Sequence, residues 1–488
     1  MSVPTLVTFV VYLVGMLAIG IIAYRLTDNL SDYVLGGRSL GGGVAALSAG
    51  ASDMSGWLLL GLPGALYASG MNQIWIAIGL SIGAYLNWQF VAKRLRVYTE
   101  VAQDAITVPD YLENRFHDHS KLLRVISAVV ILLFFAFYTS AGMVSGAVLF
   151  EKSFGLDYQT ALWVGAIVII SYTFLGGFLA VCWTDFFQGL LMFLALVAVP
   201  LVVIDNSGGW NEALGRVAAI DPNRLDVFYD VTLLGIISLM AWGLGYFGQP
   251  HIIVRFMAVK SSHEIPKARL VGMSWMVLAL YGSIFTGFFG AATFADNPLE
   301  NSETVFITLT QTLFNPWIAG ILLAAILSAI MSTIDSQLLV SSSALAEDFY
   351  KPFLRPNASQ HELVWVGRFA VAGIALIAIW IAQDPDSRVL ELVSYAWGGF
   401  GAAFGPVIIL SLFWRRMTRN GALAGMIVGA ATVVIWKQLS GGPAGIFDVY
   451  EILPGFILGW VAIVVVSNMG SGPEQAVEDE YTQMERSL

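Results

Sequence analysis

The chain has 488 residues, of which 57% are hydrophobic and only 12% are charged. Soluble domains carry about 25% charged residues, so this composition excludes a soluble enzyme and predicts an all-α polytopic membrane protein. The single cysteine, Cys182, excludes an intramolecular disulfide framework and a multi-cysteine metal site. The net charge of −10 arises in part from the acidic tail after Pro473, and no stretch resembles a basic face for nucleic acid.

Apolar runs long enough to cross a bilayer recur about thirteen times along the chain. The first run ends at Arg25 without a basic leader or a small-residue cleavage site, which indicates a retained helix rather than a signal peptide. An odd number of crossings places the two termini on opposite sides. The runs span residues 6–24, 41–67, 74–91, 122–150, 158–175, 178–203, 231–248, 273–294, 318–345, 366–382, 389–414, 421–436 and 452–466.

The basic residues are distributed unevenly between the two sets of alternate connections. Of the 24 Lys and Arg residues, all but five fall in the connections that alternate from Arg25 onward. By the positive-inside rule, the N-terminus is predicted outside and the C-terminus in the cytoplasm of a bacterial cytoplasmic (inner) membrane. The five exceptions are Lys152, Arg216, Arg224, Arg388 and Lys437.

A carboxylate lies near the middle of the second apolar run. Asp53 is flanked by three hydroxyl residues and by glycines 50 and 56. A charge at the centre of a spanning helix costs roughly 2.5–3.5 kcal/mol on insertion scales, so such a residue normally faces a partner cation or a watery cavity. Glycines let the helix unwind there, as in the discontinuous helices of secondary transporters. The pattern predicts an ion or substrate site.

A second break is predicted five helices later. Three glycines, Gly243, Gly245 and Gly248, precede Pro250 within the seventh run. Matching breaks in two five-helix halves are typical of an inverted repeat, with substrate and ion bound between the broken helices. The alternative is that these glycines serve only close helix packing.

The ninth run carries oxygen atoms on one helical face. Ala329, Ser332, Thr333 and Ser336 are spaced at i, i+3, i+4 and i+7. Hard cations favour such oxygen ligands, although membrane-helix hydroxyls also commonly bond their own i−4 carbonyls. Asp335 lies beside this face, about three turns before Glu347, and is expected to be able to reach cytoplasmic water.

These segments resemble the sodium:solute symporter family, and in particular its proline carriers. The likeness runs from about residue 6 to residue 466 and is carried by residues 36–40, 48–60, 176–185, 242–251 and 331–333, with 394–397 matching without obvious chemistry. It implies a leucine-transporter-like fold within a single membrane domain, residues 1–470. That domain would hold helix 1, inverted repeats at about 41–203 and 231–414 with discontinuous helices 2 and 7, and helices 12 and 13 at about 421–466. The tail, 471–488, is expected to be cytoplasmic and disordered.

The resemblance also implies a function, sodium-driven uptake of L-proline by alternating access, and a set of site residues. Sodium would be held by the carbonyls of Ala51, Met54 and Ala329 and the hydroxyls of Ser332 and Thr333, with Asp53 supplying negative charge. Proline would lie beside Ser55, Gly56, Trp57, Tyr138, Trp242, Tyr246 and Pro250. Arg38, Asp185 and Asp335 are candidates for gating or a second ion site, and Asp335 departs from the small neutral residue expected of the proline carriers.

The chemistry of this ligand agrees with these residues. Proline is a zwitterion with an apolar ring, which favours aromatic walls together with a few donors and acceptors. The half-helix that begins near Ser55 and Gly56 offers backbone N–H groups to a carboxylate. Trp57, Tyr138 and Trp242 are among the rings close to the two breaks.

Functions other than sodium-driven proline uptake are also compatible with the sequence. One is a symporter of the same family for another small solute, and another is a sensor or channel domain. An intramembrane hydrolase built on Asp53 with Ser55, or Asp335 with Ser332, lacks a nearby His base. Residues 36–43 lack the Gly-Lys-Ser/Thr ending of a phosphate-binding loop, and His117 and His119 lack a third metal ligand. Sodium is the only metal expected, with no organic cofactor and no obligatory protein partner.

Overall fold

The computed structural model describes residues 3–25, 30–173 and 177–488. This part of the chain is helical, and its only β-type pairing is an isolated bridge between Leu40 and Val259. Ten of its helical segments are long and apolar enough to cross a membrane, and two shorter apolar helices cover residues 158–170 and 233–248. The helical membrane fold is therefore confirmed, while the count of thirteen crossings stays a prediction.

The helices of the first half of the chain include one interrupted crossing. Residues 42–69, predicted as helix 2, form three successive helices, α3 to α5. The helices are α1 (Val3–Tyr24), α2 (Leu30–Leu35), α3 (Gly42–Asp53), α4 (Gly56–Leu59), α5 (Gly61–Ser69), α6 (Ile74–Leu86), α7 (Ala92–Val101), α8 (Val108–Arg115), α9 (Leu122–Phe154), α10 (Tyr158–Thr173), α11 (Phe178–Asn206) and α12 (Trp210–Ile220).

The second half contains the other interrupted crossing. Predicted helix 7 consists of α13, a 3₁₀ stretch over Ala241–Gly248, and α14. The helices are α13 (Leu233–Met240), α14 (Pro250–Ala258), α15 (Ile265–Thr293), α16 (Val305–Leu313), α17 (Pro316–Ser343), α18 (Gln360–Ile381), α19 (Val389–Phe413), α20 (Arg419–Lys437), α21 (Ile452–Met469) and α22 (Gln475–Arg486). Both breaks occur where glycine and proline predict them.

One end of the molecule gathers the basic connections and is called the basic side below. Arg38 donates to the carbonyls of Ala105 and Met257, each at 2.7 Å, and the Arg419 guanidinium lies 2.8 Å from Asp118. Loops distant in sequence therefore meet at this end, as alternation of the crossings requires.

The connections that alternate with the basic ones meet at the other end of the molecule, which is called the opposite side. There the Glu303 carboxylate accepts from the backbone N–H groups of Val389 and Leu390, both at 3.0 Å. These bonds cap the start of α19, where the first N–H groups of a helix have no partner within it. Burial raises the pKa of Glu303 above its ordinary value, although these two donors act against the shift.

The tail differs from the prediction of disorder. Gln475–Arg486 forms a helix, α22, with Val477, Tyr481 and Met484 buried. It is fastened at the basic side, because Glu478 pairs with Arg415 at 3.0 Å and a backbone oxygen of Leu488 accepts from Lys93 at 2.6 Å. The prediction was wrong because it weighed the acidic composition and not the i, i+4, i+7 spacing of the apolar residues.

Candidate sodium and solute site

The first break begins where α3 ends at Asp53. Met54 leaves helical geometry at φ −81° and ψ 72°, and Ser55 is extended. The Ser55 side chain then accepts from the N–H of Trp57 at 3.4 Å and so caps α4, a common role for serine. The unwound backbone is buried, which is tolerated at membrane depth only where neighbouring protein surrounds it.

Helix α17 presents its hydroxyl groups to this break. The Ser332 hydroxyl lies 2.8 Å from the carbonyl oxygen of Ala51 and 3.2 Å from that of Ala329. The Thr333 hydroxyl lies 3.5 Å from the same Ala51 oxygen. Four residues predicted to bind sodium are thus brought together, two through carbonyls and two through hydroxyls, and all are buried. Met54, the fifth, is fully buried at the break itself.

The Asp53 carboxylate lies at the same break without a basic partner. The Tyr246 hydroxyl donates to its Oδ2 at 2.5 Å, while its Oδ1 has no hydrogen-bond partner. Asp53 is only 3% exposed, and in the described part of the chain no Lys, Arg or His lies within ion-pair distance of it. A buried carboxylate in this state favours a cation supplied from outside the protein.

Aromatic rings surround the break. The rings of Trp57 and Trp242 lie 6.1 Å apart, and the Tyr138 hydroxyl donates to the carbonyl of Asp53 at 3.4 Å. Tyr246 sits edge-on to Trp397 at 5.0 Å. The predicted wall residues therefore do lie around one place, next to the oxygen cluster.

Trp397 belongs to this wall and was missed by sequence reasoning. Its indole N–H donates to the carbonyl of Trp242 at 2.7 Å, and its own carbonyl accepts from Gln249 at 3.1 Å. It thereby fastens α19 to both ends of the second break. Residues 394–397 resemble the symporter family, and the position of Trp397 in this stretch was the only signal available in the sequence.

The second break combines a conformational and a packing role. Gln249 is extended, and Pro250, which has no N–H to satisfy, begins α14. A Cβ on Gly243 would collide with the backbone of Gly79, and a Cβ on Gly83 would collide with the backbone of Gly243. Close packing, the alternative reading of these glycines, is thus also present. Gly56 at the first break likewise packs against Ser145 and Ile330.

Asp185 lies in a different setting from Asp53. Its Oδ2 accepts from Ser48 at 2.7 Å and from the Arg255 guanidinium at 3.1 Å, and both members of this ion pair are fully buried. Arg255 also donates to Ser48 at 3.1 Å, to Ser336 at 2.5 Å and to the carbonyl of His251 at 2.6 Å. Asp185 therefore already has a cation from the protein.

Arg255 was counted in the sequence only as a basic loop residue. The structure instead places it within α14, and the regular helix that restarts at Pro250 was the signal that could have indicated this.

The two remaining candidates lie elsewhere. Arg38 is on the basic side, paired with Asp104 at 2.8 Å. Asp335 is fully buried, so the expectation that it reaches water was wrong. It lies in α17, which packs against α1 and α11. Sequence periodicity does not reveal contacts between elements so far apart in the chain.

Comparison with known proteins gives the family. The model of the sodium:solute symporter family matches residues 33–429. The chain belongs to the sodium:solute symporter family. It is 58% identical over 488 residues to the sodium/proline symporter of Salmonella typhimurium, covering 99% of this chain and 96% of that one. It is 54% identical over 476 residues to the high-affinity proline transporter PutP of Bacillus subtilis, covering 97% of this chain and 100% of that one.

Solved structures of the fold agree. A sodium-coupled sialic acid symporter in a substrate-bound, outward-open state matches with a TM-score of 0.81 at 20% identity, over 97% of this chain and 99% of that chain. The nucleobase-cation-symport-1 transporter Mhp1 matches with a TM-score of 0.56 at 15% identity. The predicted all-helical, leucine-transporter-like fold is confirmed, while the inverted repeats stay a prediction. The relatives of this symporter-family chain are transporters and not enzymes, which excludes the hydrolase alternative.

Proposed function

We propose that this protein couples the inward movement of sodium to the uptake of L-proline by alternating access. The observation that carries the sodium part is the oxygen cluster of Ala51, Ala329, Ser332 and Thr333 at the break beside Asp53. Neutral carbonyl and hydroxyl oxygens are suitable ligands for a hard monovalent cation. A cation bound there also offsets the charge of a carboxylate that has no basic partner.

The solute part of the proposal is supported by the aromatic wall and by the relatives. Trp57, Trp242 and Tyr246 supply apolar and aromatic surface for a pyrrolidine ring. The N–H groups at the start of α4, next to Ser55 and Gly56, suit a carboxylate. Relatives more than 50% identical over nearly the whole chain carry names that specify proline.

Membrane orientation completes the proposal. The protein is a multi-pass membrane protein, and we place it in a bacterial cytoplasmic membrane with the basic side in the cytoplasm and the N-terminus outside. One sodium ion moving inward then gains about 2.3 kcal/mol per 100 mV, besides its concentration term. A neutral zwitterion can be accumulated with that energy.

The test is uptake into proteoliposomes with a panel of labelled solutes. The panel contains L-proline, other amino acids and small carboxylates, each measured with and without an inward sodium gradient. We expect accumulation of L-proline above its external concentration only when the gradient is present. Sodium-driven accumulation of a different solute would correct the substrate, and equilibration without accumulation would indicate a channel or a sensor domain.

A further inference from the structure

A column of rings continues outward from the proposed solute wall. The Tyr450 ring lies 5.3 Å from that of Trp242 at an interplanar angle of 36°, and Trp242 is itself 6.1 Å from Trp57. Tyr450 is partly exposed, whereas Trp242 and Trp57 are buried. It belongs to the segment that connects α20 to α21, outside the ten helices of the two predicted repeats.

Two hydrogen bonds hold Tyr450 between two other elements. Its backbone N–H donates to the Ser238 hydroxyl of α13 at 2.7 Å. Its phenol donates to the carbonyl of Ser394 in α19 at 2.6 Å. Gly398, one turn along α19, leaves space for the ring, since a Cβ there would stand 3.3 Å from Tyr450 Cε2. A single residue, through its backbone N–H and its phenol, therefore joins the first part of predicted helix 7 to α19.

Predicted helix 7 and α19 are also joined at Trp242, on the side away from Tyr450. The Trp397 indole of α19 donates to the Trp242 carbonyl, so Trp242 is bonded to α19 on one side and packs against the tilted ring of Tyr450 on the other. Movement of α19 away from predicted helix 7 would expose Trp242. That movement requires Tyr450 to break its hydrogen bond to either Ser238 or Ser394.

We propose that Tyr450 is a positioning residue for solute binding, which covers Trp242 and holds α19 against predicted helix 7 on the opposite side. The inference rests on the proposed function and deepens it. It assigns to the segment after α20 a part in transport, because that segment supplies the outermost ring of the column. An aromatic pair and a phenol bond are lost together when the side chain is truncated.

The first test separates the ring from the hydroxyl. At saturating sodium we expect Tyr450→Ala to raise the KM for proline by about tenfold with a smaller change in maximal rate. Tyr450→Phe keeps the ring contact with Trp242, and we expect its KM to stay within about threefold of the parent value. Phe447→Ala is the matched control, because Phe447 lies in the same segment but packs at 4.9 Å on Trp436. A parent-like KM in Tyr450→Ala, or an equal rise in Phe447→Ala, would overturn the proposal.

The second test reads the cover over Trp242 directly and requires no knowledge of the solute. Cys182 is the only cysteine and is buried, so a Cys182→Ser background with Ala241→Cys carries one buried probe next to Trp242 and adds no Cβ against the Tyr450 ring. We expect a membrane-impermeant thiol reagent to modify it at least about fivefold faster after Tyr450→Ala, with the cysteine-free Cys182→Ser chain as the unreactive control. Equal rates would refute the role of Tyr450. If proline uptake fails while this difference in modification rate persists, only the proposed substrate is refuted.

Discussion

Asp53 and Asp185, two of the buried carboxylates in the membrane part of this protein, differ in their partners. Asp185 has the guanidinium of Arg255 at 3.1 Å and a serine hydroxyl at 2.7 Å. Asp53 has one tyrosine hydroxyl at 2.5 Å and an oxygen without any hydrogen-bond partner. The charge at Asp185 is thus neutralised by the protein, while the charge at Asp53 awaits a cation from solution.

One helix contacts both places. In α17, Ser332 points to the carbonyl of Ala51, and Ser336, one turn later, accepts from Arg255 and donates to the carbonyl of Ser332 at 2.8 Å. An intramembrane aspartate is therefore not by itself an ion site. What distinguishes the two is whether a basic side chain of the protein reaches the carboxylate.

The largest effect is expected on stability, from breaking the buried ion pair of Asp185 and Arg255. Arg255→Gln leaves Asp185 buried without its cation, which typically destabilises by about 3–5 kcal/mol. We expect a clear fall in the thermal unfolding temperature of the purified protein. The double variant Asp185→Asn with Arg255→Gln should recover most of that loss, since no lone charge remains. An Arg255→Gln protein as stable as the parent would show that the pair does not hold these helices together.

The next effect is expected at the carboxylate without a partner. Asp53→Asn removes the charge that attracts sodium, and we expect the sodium concentration for half-maximal uptake to rise by about a hundredfold. Insertion and stability should be unchanged or improved, because a charge is removed from the membrane. Protein level and uptake are measured on the same vesicles. Near-normal uptake at low sodium would contradict this assignment.

The hydroxyls of α17 should have a somewhat smaller effect. Ser332→Ala and Thr333→Val each remove one ligand, at a cost on the order of 1–3 kcal/mol, or about ten- to a hundredfold in apparent sodium affinity. Proline affinity should return towards the parent value at saturating sodium. Ser336→Ala, whose hydroxyl contacts Arg255, should change sodium affinity less. A proline affinity equally depressed at every sodium concentration would place the ion elsewhere.

The smallest effect separates two wall residues. Tyr246 donates to the Asp53 carboxylate. Trp242 instead packs against the Trp57 ring, and its carbonyl accepts from Trp397. We expect Tyr246→Phe to change the sodium dependence by about two- to tenfold, the usual size for one hydrogen bond. Trp242→Phe should change the proline affinity and leave the sodium dependence as it was. Identical sodium curves for both variants would remove the link between Tyr246 and the ion.

The sequence predicted the breaks because their causes are local. Glycines around Asp53 and the Gly243–Pro250 run mark them without knowledge of the neighbours. Spacing along one helix likewise placed Ser332 and Thr333 on a common face, which the structure directs at Ala51.

What the sequence did not predict depends on contacts between distant elements. Trp397 reaches Trp242 across 155 positions and Arg255 reaches Asp185 across 70, and no local pattern encodes either pairing. The burial of Asp335 also depends on packing by other helices. The tail helix is the exception, since the spacing of Val477, Tyr481 and Met484 was present in the sequence.

Direct binding of radioactive sodium to the purified protein tests the central contrast. The measurement compares the parent, Asp53→Asn, and the double variant Asp185→Asn with Arg255→Gln over a range of sodium concentrations. We expect binding to be lost or shifted by about a hundredfold in Asp53→Asn and to be retained in the double variant. Parent-like binding in Asp53→Asn together with its loss in the double variant would contradict the assignment to Asp53 and place the ion at Asp185.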